Sequence, residues 1–444
     1  MTSRETYRAG AAWVVAAGLC LQAVVSGQAP LTLRDAMDRA RTATPAARGL
    51  DAAAEEADAR VRQARAGHLP RVEASGGLQR SDHPVFVFSS LLAQRRFTAA
   101  DFDLAALNEP SPTSNVRAAV RVEQTVFDGG RTRFGVQAAA LERDRTAESR
   151  SAAQQDLAVR AAEAFVRTLQ LEVTERVHAA ALATAEGDVS RARARRDAGL
   201  VTEADVLAAE VFLADVQGRR ITTRGELAVA RLQLNEIIGE PLGALVTLAR
   251  PLPPGAGVDA AALAEEALRL RPERKDAALR IARADVERRA ARAAFLPTVA
   301  VEGGLEANGG TWSQPRSSWL VGVQARLDVF DGFRTVARQA EAQAAGRRAL
   351  AAGEEIARRI QVEVYAAAAR LEAALAREAA GRAALAQARE SHRIVRDRYE
   401  SGLASVTDLL RAAEALLEAE SRATTAETDA MLGAVLLDRA VGRL

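Results

Sequence analysis

One passage of this chain occurs twice. Val126-Phe127-Asp128-Gly129-Gly130-Arg131 returns as Val329-Phe330-Asp331-Gly332-Phe333-Arg334, an offset of 203 residues. Ala198-Gly199-Leu200-Val201 returns as Ser401-Gly402-Leu403-Ala404, again at 203. Leu69-Pro70 with Gly76-Gly77-Leu78 returns as Leu296-Pro297 with Gly303-Gly304-Leu305 at an offset of 227, which Pro45 and Pro272 share. Landmarks that keep their order and spacing make the halves one structural unit used twice. The first copy holds 24 extra residues (227 minus 203) between its Leu-Pro and its Phe-Asp-Gly. The expected division is a first repeat over 28–238, a connector over 239–258 containing Pro251, Pro253 and Pro254, and a second repeat over 259–444.

Proline is absent between Pro112 and Pro241 and again after Pro315. Because a proline inside a helix costs ~3 kcal/mol, these stretches permit very long helices. Val159, Ala162, Val166, Leu169, Val173 and Val177 recur at steps of three and four, as do Ile356, Ile360, Val364, Ala367, Leu371 and Ala374. Such spacing draws a coiled-coil-like apolar stripe along each helix. A helix from about Arg131 to Asp197 would be roughly 100 Å long at 1.5 Å per residue, so the molecule must be elongated. Apolar residues make up 48% of the chain but aromatics only 4%, which favours closely packed, Ala-rich helices over an aromatic core.

Each half also carries two stretches with a period of two, giving hairpins at about 70–127 and 297–330. Val72, Ala74, Gly76 and Leu78 alternate with Arg71, Glu73, Ser75 and Gly77; Val116, Ala118, Val120 and Val122 alternate with Arg117, Ala119, Arg121 and Glu123. Val299, Val301, Gly303 and Leu305 behave likewise, as do Trp319, Val321, Val323, Ala325, Leu327 and Val329. One face is small and apolar, the other polar. In a soluble sheet the apolar face packs on a core; in a transmembrane barrel it meets lipid while the polar face lines water. Four strands cannot close a barrel, and open edges have no place in lipid. If these strands span a membrane, several copies must pool them.

Arg4 and Arg8 precede an apolar run from Ala9 to Val25 and the small residues Ser26 and Gly27. This is the pattern of a secretory signal peptide over 1–27, with cleavage near Gly27. No later segment is apolar enough for a helical membrane span. Lys+Arg is 60 and Asp+Glu is 58, a net charge of +2, which gives no electrostatic case for nucleic acid. The sole cysteine, Cys20, excludes a disulfide framework and a Cys-based zinc site. His68, His83, His178 and His392 have no paired spacing, and no nucleophile–base pair stands out, so neither a metal centre nor an exported hydrolase is expected.

The recurring motifs read as joints. Leu-Pro, with Pro70 and Pro297, stops a helix and starts a strand. In Phe-Asp-Gly, Phe127 and Phe330 suit a membrane–water boundary. Asp128 and Asp331 can cap the next helix, and Gly129 and Gly332 permit the bend. The insertion within about 79–115, with Phe86, Phe88, Phe97 and Phe102, reads as a self-packed loop or as a lid over an outer mouth. At the far end, Gly199 and Gly402 end the long helices, and Thr202 and Ser405 can cap the returning ones. Asp205 and Asp408 then fall one to two turns into the return helices. They are either exposed charges, paired with Arg195, Arg398 or Arg411, or members of an acidic ring if copies surround an axis.

These residues resemble the TolC-type outer membrane efflux channel family. The resemblance rests on Leu31-Thr32-Leu33-Arg34-Asp35-Ala36 with Pro45, both Leu-Pro and both Phe-Asp-Gly elements, both Gly-Leu hairpins, and Gly239-Glu240-Pro241-Leu242. It implies an α+β membrane fold: a homotrimer whose twelve-stranded β-barrel, four strands per chain, continues into a long periplasmic α-helical barrel. It implies a passive exit duct without enzymatic activity or cofactor. A periplasmic adaptor (membrane fusion protein) and an inner-membrane transporter would meet the hairpins at Gly199, Leu200, Val201, Thr202, Gly402, Leu403, Ala404 and Ser405. Asp408 falls at the family's aperture aspartate, and Asp205 and Tyr399 at its inter-helix gating contacts. Arg411 stands where well-known members have a second aperture aspartate, and Ala404 where they have a gating arginine. A lock built differently, through Arg411 or Glu203, is the expectation. The rival reading is an exported periplasmic coiled-coil scaffold without channel activity.

Overall fold

A computed structural model describes residues 29–251 and 257–444. The expected leader over 1–27 and the connector residues Pro253 and Pro254 lie outside the described residues. Two short helices, α1 (Leu33–Thr42) and α2 (Pro45–Ala66), lead into strand β1 (Arg71–Ser81). The first hairpin's loop contains α3 (Pro84–Ala93), a 3-10 turn at Ala99–Phe102 and α4 (Leu104–Asn108), before β2 (Thr113–Phe127). Helices α5 (Arg131–Asp197) and α6 (Glu203–Ile238) follow. Next come α7 (Ala260–Leu270), α8 (Pro272–Ala293), β3 (Thr298–Gly309), β4 (Arg316–Arg326), α9 (Arg334–Glu400) and α10 (Val406–Val441).

Helix α5 has the span expected from the proline-free stretch. Both α5 and α9 contain 67 residues, and both α6 and α10 contain 36. At 1.5 Å per residue the longer pair extends about 100 Å. Helices α5 and α6 form one antiparallel hairpin and α9 and α10 another, joined where α10 lies along α5 and where α8 lies between α5 and α9.

The main core sits midway along the long helices. Phe165, Val166 and Leu169 of α5 meet Leu234 and Ile238 of α6, Met431 of α10 and Ala36 of α1. Ile360, Val364 and Leu371 of α9 meet Leu437 and Val441 of α10, with Ala264 and Ala267 of α7. The segment before α1 is tied to the connector by a parallel bridge between Leu31 and Leu248. In α9 the expected stripe from Ile360 to Ala374 is buried. In α5 the buried surface is broader than the stripe: Ala158, Ala161, Phe165 and Thr168 join it, while Val159, Val173 and Val177 are only half-buried. The cause is that α5 packs on α6, α8 and α10 rather than on one partner.

The four strands form one antiparallel sheet in the order β1-β2-β3-β4, so the hairpins of the two halves join through β2 and β3. Register aligns the small and apolar residues across it. Ala74 faces Val120, Val120 faces Leu305, and Leu305 faces Trp319; Val72, Val122, Gly303 and Val321 make the next row. The opposite face carries Arg117, Arg121, Glu302 and Glu306, with Arg117 paired to Glu306 at 2.7 Å. Among the described residues nothing covers most of the apolar face: Leu78 is 68% exposed, Val323 72% and Trp319 76%. The alternation predicts that β4 continues to Val329. It stops at Arg326, whose partner Thr298 is the first residue of β3, so Leu327 and Val329 have no strand to pair with.

Candidate functional site: two hinges and two helical tips

At the end of the sheet that meets the long helices, each hinge is built around an aspartate. Asp128 Oδ1 accepts from the Gly130 amide at 2.8 Å, and its Oδ2 accepts from the Thr132 amide at 2.7 Å and from the Thr132 hydroxyl. Asp331 Oδ2 likewise accepts from the amide and hydroxyl of Thr335. These bonds satisfy first-turn amides of α5 and α9 that have no intrahelical partner. Gly129 (φ +69°) and Gly332 (φ +68°) are left-handed, as is Gly130; the counterpart of Gly130 is Phe333, a non-glycine residue at φ +65°. Gly129 is also held by space, because a Cβ there would lie 2.7 Å from the Ala293 carbonyl at the end of α8. Pro70 and Pro297 each stand one residue before a strand, after the helices ending at Ala66 and Ala293. Phe127 closes β2, and Phe330 packs edge-on against Phe333 with centroids 5.5 Å apart.

At the opposite end both hairpins have the same construction. The Leu200 amide donates to the Arg195 carbonyl and the Gly199 amide to that of Arg196, each at 2.8 Å. Leu403 and Gly402 do the same toward Arg398 and Tyr399. This paired bonding, with Gly199 at φ +74° and Gly402 at φ +76°, ends a helix on a left-handed residue. Leu200 and Leu403 project into solvent at the two tips, flanked by half-buried Val201 and Ala404. Thr202 and Ser405 then cap α6 and α10.

The structure moves Asp205 and Asp408. Neither lies one to two turns into its helix; each is the third residue of the first turn and completes a capping box. Asp205 Oδ2 accepts from the Thr202 amide at 2.9 Å and its hydroxyl at 2.8 Å. Asp408 Oδ2 accepts from the Ser405 amide at 3.1 Å and its hydroxyl at 2.7 Å. Bonds to the Thr202 amide and hydroxyl hold the Asp205 carboxyl below the usual aspartate range, and those to the Ser405 hydroxyl and amide do the same for Asp408. Among the described residues neither aspartate forms an ion pair with Arg195, Arg398 or Arg411, because the cap is nearer than any guanidinium. Glu203 pairs with Arg196 Nη1 at 3.0 Å. Arg411 is exposed, and among the described residues it forms no ion pair.

Tyr399 is 2% exposed, packed with Val406 and Leu409. Over its ring lies the guanidinium of Arg195, 4.4 Å from the centroid. Arg195 Nη2 also donates to the Glu400 carbonyl at 2.6 Å. The two hairpins are thus clasped to each other within one chain. In sequence Arg195 reads only as a partner for an aspartate. Its basic side chain one turn before a helix-ending glycine carries no signal that it will reach a tyrosine 204 residues away.

A four-stranded sheet with a mostly bare apolar face, set on helices of this length, fits the class of outer membrane efflux proteins. The sequence model of the outer membrane efflux protein family matches residues 37–240 and 263–443, and the chain belongs to that family. Protein CyaE of Bordetella pertussis is 29% identical over 423 residues, covering 93% of this chain and 84% of that protein. The outer membrane efflux protein BepC of Brucella suis is 24% identical over 330 residues, 73% of this chain and 72% of the relative. Among solved structures, the outer membrane protein VceC of Vibrio cholerae superimposes with a TM-score of 0.76 at 19% identity, covering 92% of this chain and 96% of that one.

Proposed function

We propose that this protein is the outer membrane duct of a tripartite efflux or secretion system. Three copies pool their four-stranded sheets into a twelve-stranded barrel, and α5, α6, α9 and α10 of each copy continue it as a helical tube through the periplasm. Solutes pass through passively, driven by an inner-membrane transporter that a periplasmic adaptor couples to the helical tips. The leader over 1–27 sends the chain out of the cytoplasm, and the two halves act as matching units about the connector.

The observation that carries this reading is the continuous apolar face, exposed in the single chain and bounded by two unpaired edges, β1 and β4. In water such a surface promotes aggregation. In lipid it is the required exterior, provided that β4 of one copy pairs with β1 of the next. The exposed Leu200 and Leu403 give an adaptor an apolar grip at Gly199–Thr202 and Gly402–Ser405. Tyr399, with Arg195, holds the hairpins together, so separating that contact is the route to an open tip. Asp205, Asp408, Glu203 and Arg411 cluster in sequence at the tip hairpins and set the charge that a permeating solute meets.

The test is reconstitution of the detergent-purified protein in a planar bilayer, with the assembly mass measured alongside. A trimer with discrete conductance steps is the expected outcome. A monomer that stays dissolved without detergent would return the chain to the scaffold reading.

A further inference from the structure

The side-chain hydrogen bonds of the first hairpin's loop lead onto the polar face of the sheet. Gln94, only 1% exposed, donates from Nε2 to the Ser114 carbonyl at 2.9 Å and to Asn115 Oδ1 at 3.0 Å. Asn115 donates to Asn308 Oδ1 at 2.8 Å, and Asn308 to Glu306 Oε1 at 2.6 Å. Asn115, Asn308 and Glu306 all belong to the face that carries Arg117 and Arg121. Arg95 crosses as far as β4, donating to the Ser317 carbonyl at 3.1 Å. A Cβ on Gly310, one residue past the end of β3, would meet Arg96 Nη1 at 2.8 Å.

Helix α3 is therefore held over the polar face at the sheet's outer end, and it is two-sided. Val87, Ser90 and Gln94 are buried beneath it. On the other side Val85 is 68% exposed, Phe88 36% and Leu92 48%, at helical steps of three and four. The ten residues, PVFVFSSLLA, contain no charge. Phe88 stacks edge to face on Phe97, and Phe97 on Phe102, each at 5.0 Å centroid spacing. An uncharged apolar helix surface aimed at water carries an unrelieved hydrophobic cost.

We infer that Val85, Phe88 and Leu92 form a hydrophobic constriction at the outer mouth, where α3 of each copy meets α3 of its neighbours around the axis. This rests on the trimeric duct proposed above, in which the polar face surrounds the water-filled path. Three such surfaces converging there relieve one another's exposure and narrow the path to a ring that gates by excluding water. Polar and ionic solutes are held back until the loops part, and amphiphilic solutes pass more readily.

The experiment compares single-channel conductance of the purified wild type with that of Val85→Asn/Leu92→Asn. Both side chains face solvent, so the fold is retained, and a hydrated ring should raise conductance above that of the wild type. In parallel, Leu92→Cys should give disulfide-linked dimers on mild oxidation of the trimer. Unchanged conductance in the double variant, or no cross-link in a trimer that conducts, overturns the constriction and leaves the duct standing. A wild type that neither trimerises nor conducts removes the duct itself.

Discussion

The guanidinium of Arg195 lies 4.4 Å from the centre of the Tyr399 ring, and this contact fastens the end of α5 to the end of α9 inside a single chain. A cation over a desolvated aromatic face contributes up to ~2 kcal/mol, against ~0.5–1 kcal/mol at an exposed site. Arg195→Ala and Tyr399→Ala are each expected to raise the conductance of the reconstituted channel, whereas Tyr399→Phe, which keeps the ring, stays near wild type. Conductance of Tyr399→Phe equal to that of Arg195→Ala would mean that the hydroxyl, not the ring face, holds the tip.

The capping boxes give a stability prediction with a sign in pH. Thr202→Ala and Ser405→Ala should each cost about 1 kcal/mol locally, seen as faster amide exchange confined to the first turns of α6 and α10. Both Asp205 and Asp408 have carboxyls lowered from the ordinary value of 3.8 by their caps. The caps' contribution is therefore complete above that value and is lost as pH falls through the lowered one. Protection of the tips should be flat at neutral and mildly acidic pH and decline only in strong acid. A decline centred near neutrality would contradict the assignment.

Charge at the helical tips separates a capping role from a permeation role. If Asp408 also faces the path, Asp408→Ala lowers cation preference in reversal-potential measurements, and Arg411→Ala shifts it the opposite way. Ion selectivity identical to wild type in both variants would leave Asp408 as a cap alone.

The hinge glycines should differ. Gly129→Ala meets both a left-handed backbone and the Ala293 carbonyl at 2.7 Å, while Gly332→Ala meets the backbone cost with nothing within 4 Å. The latter should lose roughly 1–2 kcal/mol, and Gly129→Ala more, read as a lower melting temperature of the assembly. Equal losses would show that the α8 contact yields freely.

Neighbouring positions on β4 test the sheet's two faces. Val323→Arg places a charge on the apolar face and should cost ~2–4 kcal/mol if it lies near the bilayer midplane, so that little assembled protein reaches the outer membrane. Gln324→Arg, one residue on, should assemble normally. Equal yields would remove the lipid-facing assignment.

Much of this architecture could be read along the chain because it is set by neighbours in sequence. Missing prolines and three–four spacing mark the long helices, and Gly199 and Gly402 mark where they turn. Strict alternation around Val120 or Val301 marks a strand with one apolar face, since successive side chains leave a strand on opposite sides. Asp128 and Asp331 are legible as caps for the same reason: their partners lie two to four residues away.

What crosses between the halves was decided only by tertiary structure. That β2 pairs with β3, aligning Val120 with Leu305, follows from the packing of helices that bring residues 185 positions apart to one place. The placing of Arg195 over Tyr399 depends on how α10 lies along α5, which no local propensity encodes. The end of β4 at Arg326 waits on where its partner begins. The placing of α3 over the polar face rests on one buried glutamine finding Asn115. In sequence Gln94 is an ordinary polar residue in a loop, and only the sheet beneath it gives that amide its partners.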